Sequence, residues 1–169
     1  MKQRIYIDTS VVGGYFDEEF NEATIALFQR LENGEINFVI SDLLDLELIN
    51  APEKVRELLH NYSADKFERI ELTEEAIILA DTYVKEKVVG KTSLEDCRHI
   101  ALATVNKVDV LASWNFKHIV NLDRIKGYNS VNLRWGEQRK ESRSAKDLRN
   151  YGKDKKRKDL GRRKNDEGQ

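Results

Sequence analysis

The sequence predicts an α/β fold: a three-layer α/β/α sandwich around a central parallel sheet. Three observations carry this. Short β-rich runs alternate with helical segments along the first 135 residues, the order that builds strand–helix–strand crossovers. The run Ile36-Asn37-Phe38-Val39-Ile40 is almost continuously apolar, as strands covered on both faces are. The chain has 169 residues, 40% hydrophobic and 35% charged, which is enough apolar material for one core beneath a heavily charged surface.

Arg4–Ile7 is the first strand and ends at Asp8. Glu18–Leu31 is helical, with Phe20, Ala23, Thr24, Leu27, Phe28 and Leu31 near one face. Asn33-Gly34 stops it. Ile36–Ile40 is the second strand, and Ser41 or Asp42 caps a helix to about Ile49. Pro52, the only proline, sits where a helix over Glu53–His60 begins. Phe67–Leu72 forms a short strand, and Thr73 with Glu74 or Glu75 opens a helix to about Lys87. Ser93 caps the helix Leu94–Asn106. Asp109–Ala112 and Ser130–Leu133 are the last two strands.

Composition divides the chain into a body, residues 1–135, and a tail, residues 136–169. The body carries 16 Lys and Arg against 23 Asp and Glu, a net of −7, and the tail 13 against 7, a net of +6. The only large apolar residues of the tail are Leu148, Tyr151 and Leu160, too few to offset the entropy of ordering it. The expectation is a disordered basic tail, with a transient helix around Ser144–Asn150. Its clusters, including Lys155, Lys156, Arg157, Arg162 and Arg163, suit non-specific contact with phosphates. A solvated terminus is the plainer reading. No apolar run reaches the length of a membrane span, and acidic Asp8 interrupts what would be a signal sequence. A single cysteine, Cys97, excludes an internal disulfide framework and fits a reducing cytoplasm.

Three acids fall at or near the carboxyl ends of the expected strands, where open parallel sheets carry their sites. Asp8 follows the first strand directly, Glu47 lies on the helix leaving the second, and Asp96 lies in the first turn of its helix, four residues before apolar Ile100. Each has an ordinary reading: a turn cap, a solvated helix acid, and a first-turn acid favoured by the helix dipole. Together they form an all-oxygen set without Cys or a spaced His pair, which suits a hard cation such as Mg²⁺ and the hydrolysis of phosphodiesters. His60, His99 and His118 lack metal-ligand spacing, and His99, three residues from Asp96, reads as the partner of a neighbouring acid. A P-loop is excluded because no Lys-Ser/Thr follows Gly13-Gly14. A haloacid-dehalogenase-type phosphatase is disfavoured because Ser10 stands where its second aspartate would be.

Four motifs in order resemble a PIN domain: Ile5-Tyr6-Ile7-Asp8-Thr9-Ser10 with Tyr15-Phe16; Ile40-Ser41-Asp42 through Glu47 to Ala51-Pro52; Ser93 to Ala103 around Asp96; and Ser113-Trp114-Asn115-Phe116-Lys117-His118. The resemblance covers Ile5 to Trp135. It implies an α/β/α sandwich and, as in VapC-type toxins, a Mg²⁺- or Mn²⁺-dependent ribonuclease. Such toxins are often dimeric and are held inactive by a small antitoxin. It further implies Asp8, Glu47 and Asp96 as catalytic and metal-binding acids, with Thr9 and Ser10 assisting. Many family members carry a fourth aspartate where this chain has Asn115, which brings an oxygen but no charge and would weaken a second metal. An inactive PIN-like binding module is therefore the alternative function. Phe20, Leu44 and Leu48 are candidates for a dimer interface.

Overall fold

The computed structural model describes residues 1–137 and 140–148. Five parallel strands form one sheet: β1 (Gln3–Ile7), β2 (Ile36–Ser41), β3 (Phe67–Ile70), β4 (Val110–Ala112) and β5 (Ser142–Arg143), in the spatial order β3-β2-β1-β4-β5. The helices are α1 (Thr9–Gly14), α2 (Asn21–Glu32), α3 (Asp42–Leu48), α4 (Glu53–Glu57), α5 (Glu74–Lys85), α6 (Leu94–Val105), α7 (Leu122–Arg134) and α8 (Ala145–Leu148). The expected three-layer architecture is present.

Alternation along the strands builds two cores. Ile5, Ile7, Phe38, Ile40, Val110 and Ala112 face one side, where they pack with Val11, Leu27, Phe28, Leu44 and Leu148. Tyr6, Val39 and Leu111 face the other, against Leu79, Ala80, Tyr83, Ile100, Ala101 and Val131. Successive strand side chains point to opposite faces, so a sheet covered twice needs the apolar runs seen in the sequence. Helix α3 crosses the carboxyl edge of the sheet: Leu43 joins the second core, Leu44 and Leu48 the first. Leu44 and Leu48 are thus buried within this chain, at 0% and 6% exposure, and are unavailable for the dimer interface expected of them. Phe20 is spent partly on stacking against Trp114, ring centroids 4.3 Å apart.

The strand expected at Ser130–Leu133 is instead the end of α7. Tyr128, Val131 and Asn132 are its buried residues, a spacing of three and four that belongs to a helix. Asn121 caps it, its Oδ1 accepting from Arg124 N at 3.1 Å. The fifth strand comes from the region expected to be disordered tail. Leu111 N donates to Glu141 O at 2.9 Å and Ser113 N to Arg143 O at 3.0 Å. Ala145 and Leu148 are fully buried, and Arg30 Nη1 donates to the Leu148 carbonyl at 2.7 Å. The folded body therefore runs on to Leu148. Sheet pairing satisfies backbone groups whatever the side chains, so a polar segment with two well-placed apolar residues can still complete a sheet. Lys155, Lys156, Arg157, Arg162 and Arg163 lie outside the described residues. Ser93 precedes α6 without a side-chain capping bond. Among the described residues no helix is long and apolar enough to cross a membrane.

Candidate active site

Strand order fixes where a site can form. From β1 the chain winds outward through β2 and β3, then returns to place β4 and β5 on the other side. The reversal falls between β1 and β4, and such switch points open a crevice at the carboxyl ends of the strands. Ile7 pairs with Ala112, so Asp8 and Ser113 leave the sheet side by side into that crevice.

Asp8 is 4% exposed. Its Oδ1 accepts from Ser10 Oγ at 2.6 Å and from Val11 N at 3.2 Å, which makes it the N-cap of α1. Its Oδ2 accepts from Ser113 Oγ at 2.5 Å. Burial raises the carboxyl pKa above its ordinary value, against the opposing charge of His99 and these hydrogen bonds. Ser10 Oγ also accepts from Trp114 N at 2.8 Å, tying the loop after β4 to α1. Ser10 thus acts as a prop for Asp8. Asn115 N donates to Ser113 Oγ at 2.9 Å and its Oδ1 accepts from His118 N at 3.0 Å. The residue standing at the fourth acidic position closes a turn.

Glu47 enters from α3, whose N-cap Ser41 accepts from Leu44 N at 3.2 Å. Its carboxylate accepts from Thr9 Oγ1 and from His99 Nε2, the latter 3.0 Å from Oε1 and 3.1 Å from Oε2. Burial would raise the Glu47 pKa, but the His99 hydrogen bond and charge, with Thr9, outweigh it and the net shift is downward. His99 is 3% exposed. Burial disfavours its charge, yet Glu47, followed by Asp8 and Asp96, raises its pKa overall. All three acids therefore bear on one imidazole. Nδ1 of His99 lies 2.6 Å from Tyr6 Oη, which lies 2.8 Å from Ser41 Oγ. Asp96, half-buried in the first turn of α6, has no hydrogen-bond or ion-pair partner among the described residues.

The structure brings Asp8, Thr9, Ser10 and Glu47 together at this edge, with Asp96 near His99, and adds Ser113, Tyr6 and Ser41; His99 is the partner of an acid, as expected, and that acid is Glu47. Ser113 had a legible signal, since it follows β4 as Asp8 follows β1. The Tyr6–Ser41 contact had none, because it joins residues 35 apart in the sequence. The oxygen-rich donor set has the chemistry of a hard-cation site, but its arrangement is not a three-acid cage. Among the described residues no three of His, Cys, Asp and Glu are grouped to hold a metal ion. A separate cleft of about 350 Å³, floored by Ile40, Leu48 and Phe67 and rimmed by Arg56 and Arg69, contains none of the three acids.

No family model and no curated protein matches the sequence. Solved structures do match in shape. VapBC2 from Rickettsia felis, bound to a DNA fragment from its promoter, aligns over 84% of this chain and 98% of its own at 13% identity, with a TM-score of 0.53. FitAB bound to a DNA fragment aligns over 83% and 94% at 14% identity, with a TM-score of 0.54. The fold is that of a VapC-like PIN domain. A toxin–antitoxin complex from Klebsiella pneumoniae is also similar, at 18% identity over 67% of this chain and 88% of its own, with a TM-score of 0.49. The expectation drawn from the motifs of β1, α3, α6 and the loop after β4 thus agrees with the fold.

Proposed function

We propose that this protein is a metal-dependent endoribonuclease of the VapC toxin type, cutting RNA phosphodiesters by hydrolysis. What supports the reading is Asp8 at the carboxyl end of β1 beside the switch point, with Glu47 bonded to the neighbouring Thr9 and to His99, in a PIN-like fold. Mg²⁺ or Mn²⁺ is the cofactor proposed, with Asp8 and Asp96 as its carboxylates. Mg²⁺ is commonly held by one or two carboxylates and keeps several waters, so two acids suffice by count. When bound, such an ion supplies Lewis acidity toward a phosphoryl oxygen. The chain itself contributes the hydroxyls of Ser10 and Ser113, which hold Asp8, and of Thr9, which holds Glu47. A small antitoxin protein and a second copy of the chain are the partners this reading implies, and the cytoplasm its location.

The test is cleavage of RNA by the purified full-length protein with Mn²⁺, Mg²⁺ or EDTA, alongside Asp96→Asn. Cleavage that requires the ion and disappears in the variant is expected, with a melting temperature equal to or above the wild type because an unpaired acid is removed. Full activity in Asp96→Asn would overturn the site. Absence of both cleavage and Mn²⁺ binding would favour the inactive binding module, which the replacement of the fourth acid by Asn115 supports.

A further inference from the structure

Glu47 is surrounded unlike an ion ligand. A hydroxyl and an imidazole already hold its carboxylate, and the imidazole N–H faces both of its oxygens, at 3.0 and 3.1 Å. We propose that His99 is a positioning residue that fixes Glu47 on the water side of the site, where Glu47 takes the proton of the attacking water and does not bind the ion. This rests on the nuclease reading above.

The geometry supports it as a closed circuit. Leu44 N, in the first turn of α3, donates to Ser41 Oγ. Ser41 Oγ meets Tyr6 Oη at 2.8 Å, and Tyr6 Oη meets His99 Nδ1 at 2.6 Å. His99 Nε2 then donates to Glu47, on the same helix α3 where the circuit began. Tyr6, Ser41 and His99 are all buried, so water does not compete for these bonds. One assignment uses each proton once: Leu44 to Ser41, Ser41 to Tyr6, Tyr6 to Nδ1, and Nε2–H to Glu47. Whether His99 is neutral in this tautomer or charged, Nε2 carries a proton and the bond to Glu47 persists. The imidazole faces both carboxylate oxygens almost equally, at 3.0 and 3.1 Å, and this fixes the carboxylate plane. A base must be held within reach of the proton it removes, and supporting partners of this kind are what hold it.

The step balances as a hydrolysis. A water O–H bond breaks, its proton passes to the Glu47 carboxylate, and the oxygen forms a bond to phosphorus. The bond from phosphorus to the leaving ribose oxygen breaks, that oxygen takes a proton from solvent, and Glu47 returns its own to solvent.

The experiment compares full-length wild type, His99→Ala, His99→Gln, Tyr6→Phe, Glu47→Gln and the His99→Ala/Glu47→Gln pair. Mn²⁺ affinity is read by calorimetry and cleavage by single turnover at saturating Mn²⁺. Loss of a supporting partner should slow cleavage by about 10–100-fold while Mn²⁺ affinity stays within about threefold. The glutamine amide can donate near the place of Nε2, so His99→Gln should recover part of the rate. The double variant should be no slower than Glu47→Gln alone. A large loss of Mn²⁺ affinity in Glu47→Gln would make Glu47 an ion ligand and overturn the proposal, leaving the nuclease standing. Wild-type cleavage in His99→Ala, or in both His99→Gln and Tyr6→Phe where His99→Ala does not fold, would also overturn it. Wild type that neither binds Mn²⁺ nor cuts RNA would remove the nuclease reading, and this proposal with it.

Discussion

Two adjacent glycines at the end of α1 make opposite predictions. A Cβ at Gly14 would lie 2.7 Å from Trp114 Nε1, 2.8 Å from Trp114 Cδ1 and 3.1 Å from Thr24 Oγ1, whereas one at Gly13 would meet nothing within 4 Å. Neither glycine has a positive φ, so alanine fits the backbone at both. At Gly14 the indole must move. It cannot move freely, because it is stacked on Phe20 and its Nε1 donates to Thr24 Oγ1 at 2.9 Å. Overpacking costs about 1–3 kcal/mol, and an unpaired buried donor about as much again. Alanine in place of glycine returns about 1 kcal/mol. The net for Gly14→Ala is a loss of about 1–5 kcal/mol, centred near 3, while Gly13→Ala gains about 0.5–1 kcal/mol. At roughly 2–4 °C per kcal/mol for a domain of this size, the two melting temperatures should separate by about 5–15 °C. Urea unfolding followed by tryptophan fluorescence measures the difference directly. Cleavage should fall in Gly14→Ala as well, because Trp114 N donates to the Ser10 hydroxyl that holds Asp8. Equal stability of the two variants would refute the reasoning, since it would mean that the wall beside Asp8 yields without cost.

Two further predictions concern the C-terminal part of the fold. Burial lowers the Lys140 pKa from its ordinary 10.5 to about 8, and the residue is 6% exposed with its Nζ on the Val108 carbonyl. Between those two values the unfolded chain binds more protons than the folded one. Stability should therefore rise with pH across that window, by roughly 3 kcal/mol in all. Lys140→Met should flatten the slope in pH-dependent urea titrations, and an unchanged slope would contradict the burial of the ammonium. Ending the chain after Trp135 should cost at least about 2–4 kcal/mol, through Leu148 and the lost strand pairing. A chain ending at Leu148 should melt above one ending at Trp135 and, lacking the basic clusters, show a weaker, less salt-dependent affinity for RNA. Equal melting of the two truncations would return residues 140–148 to the tail.

What the sequence made legible was whatever rests on short-range pattern. The apolar runs of β1 and β2 marked a doubly covered sheet, Asn33-Gly34 marked the end of α2, and Asp8 was placed at the sheet edge because it follows Ile7. The failures come from competition between patterns of similar strength. Ser130-Val131-Asn132-Leu133 is β-rich over four residues, but Tyr128, three residues before Val131, extends a helical face, and such a short run cannot decide between periods. Ser142-Arg143 carries no strand signal, because its pairing with β4 is made by backbone atoms. The site divides the same way. Its acids are visible as residue types after strands and caps, whereas the Tyr6–His99–Glu47 chain depends on which face of α6 meets which face of β1. That is a tertiary fact.

The engaged lone pairs rank the three acids, and the ranking bears on how the crevice works. A carboxylate offers about four acceptor positions. Asp8 spends three, on Ser10, Val11 and Ser113, and keeps one on Oδ2. Glu47 spends three, on Thr9 and the shared imidazole proton, and keeps one on Oε1. Asp96 spends none on the described residues. A buried carboxylate held by three donors is rigid and its direction is set, and one that makes no bonds can turn to whatever enters. If Asp8 and Asp96 hold the ion proposed above, Asp8 would offer it a fixed oxygen and Asp96 an adaptable one. The serines around Asp8 therefore make its burial tolerable and leave one direction for it to face, so loss of Ser113 should harm the site as much through aim as through charge.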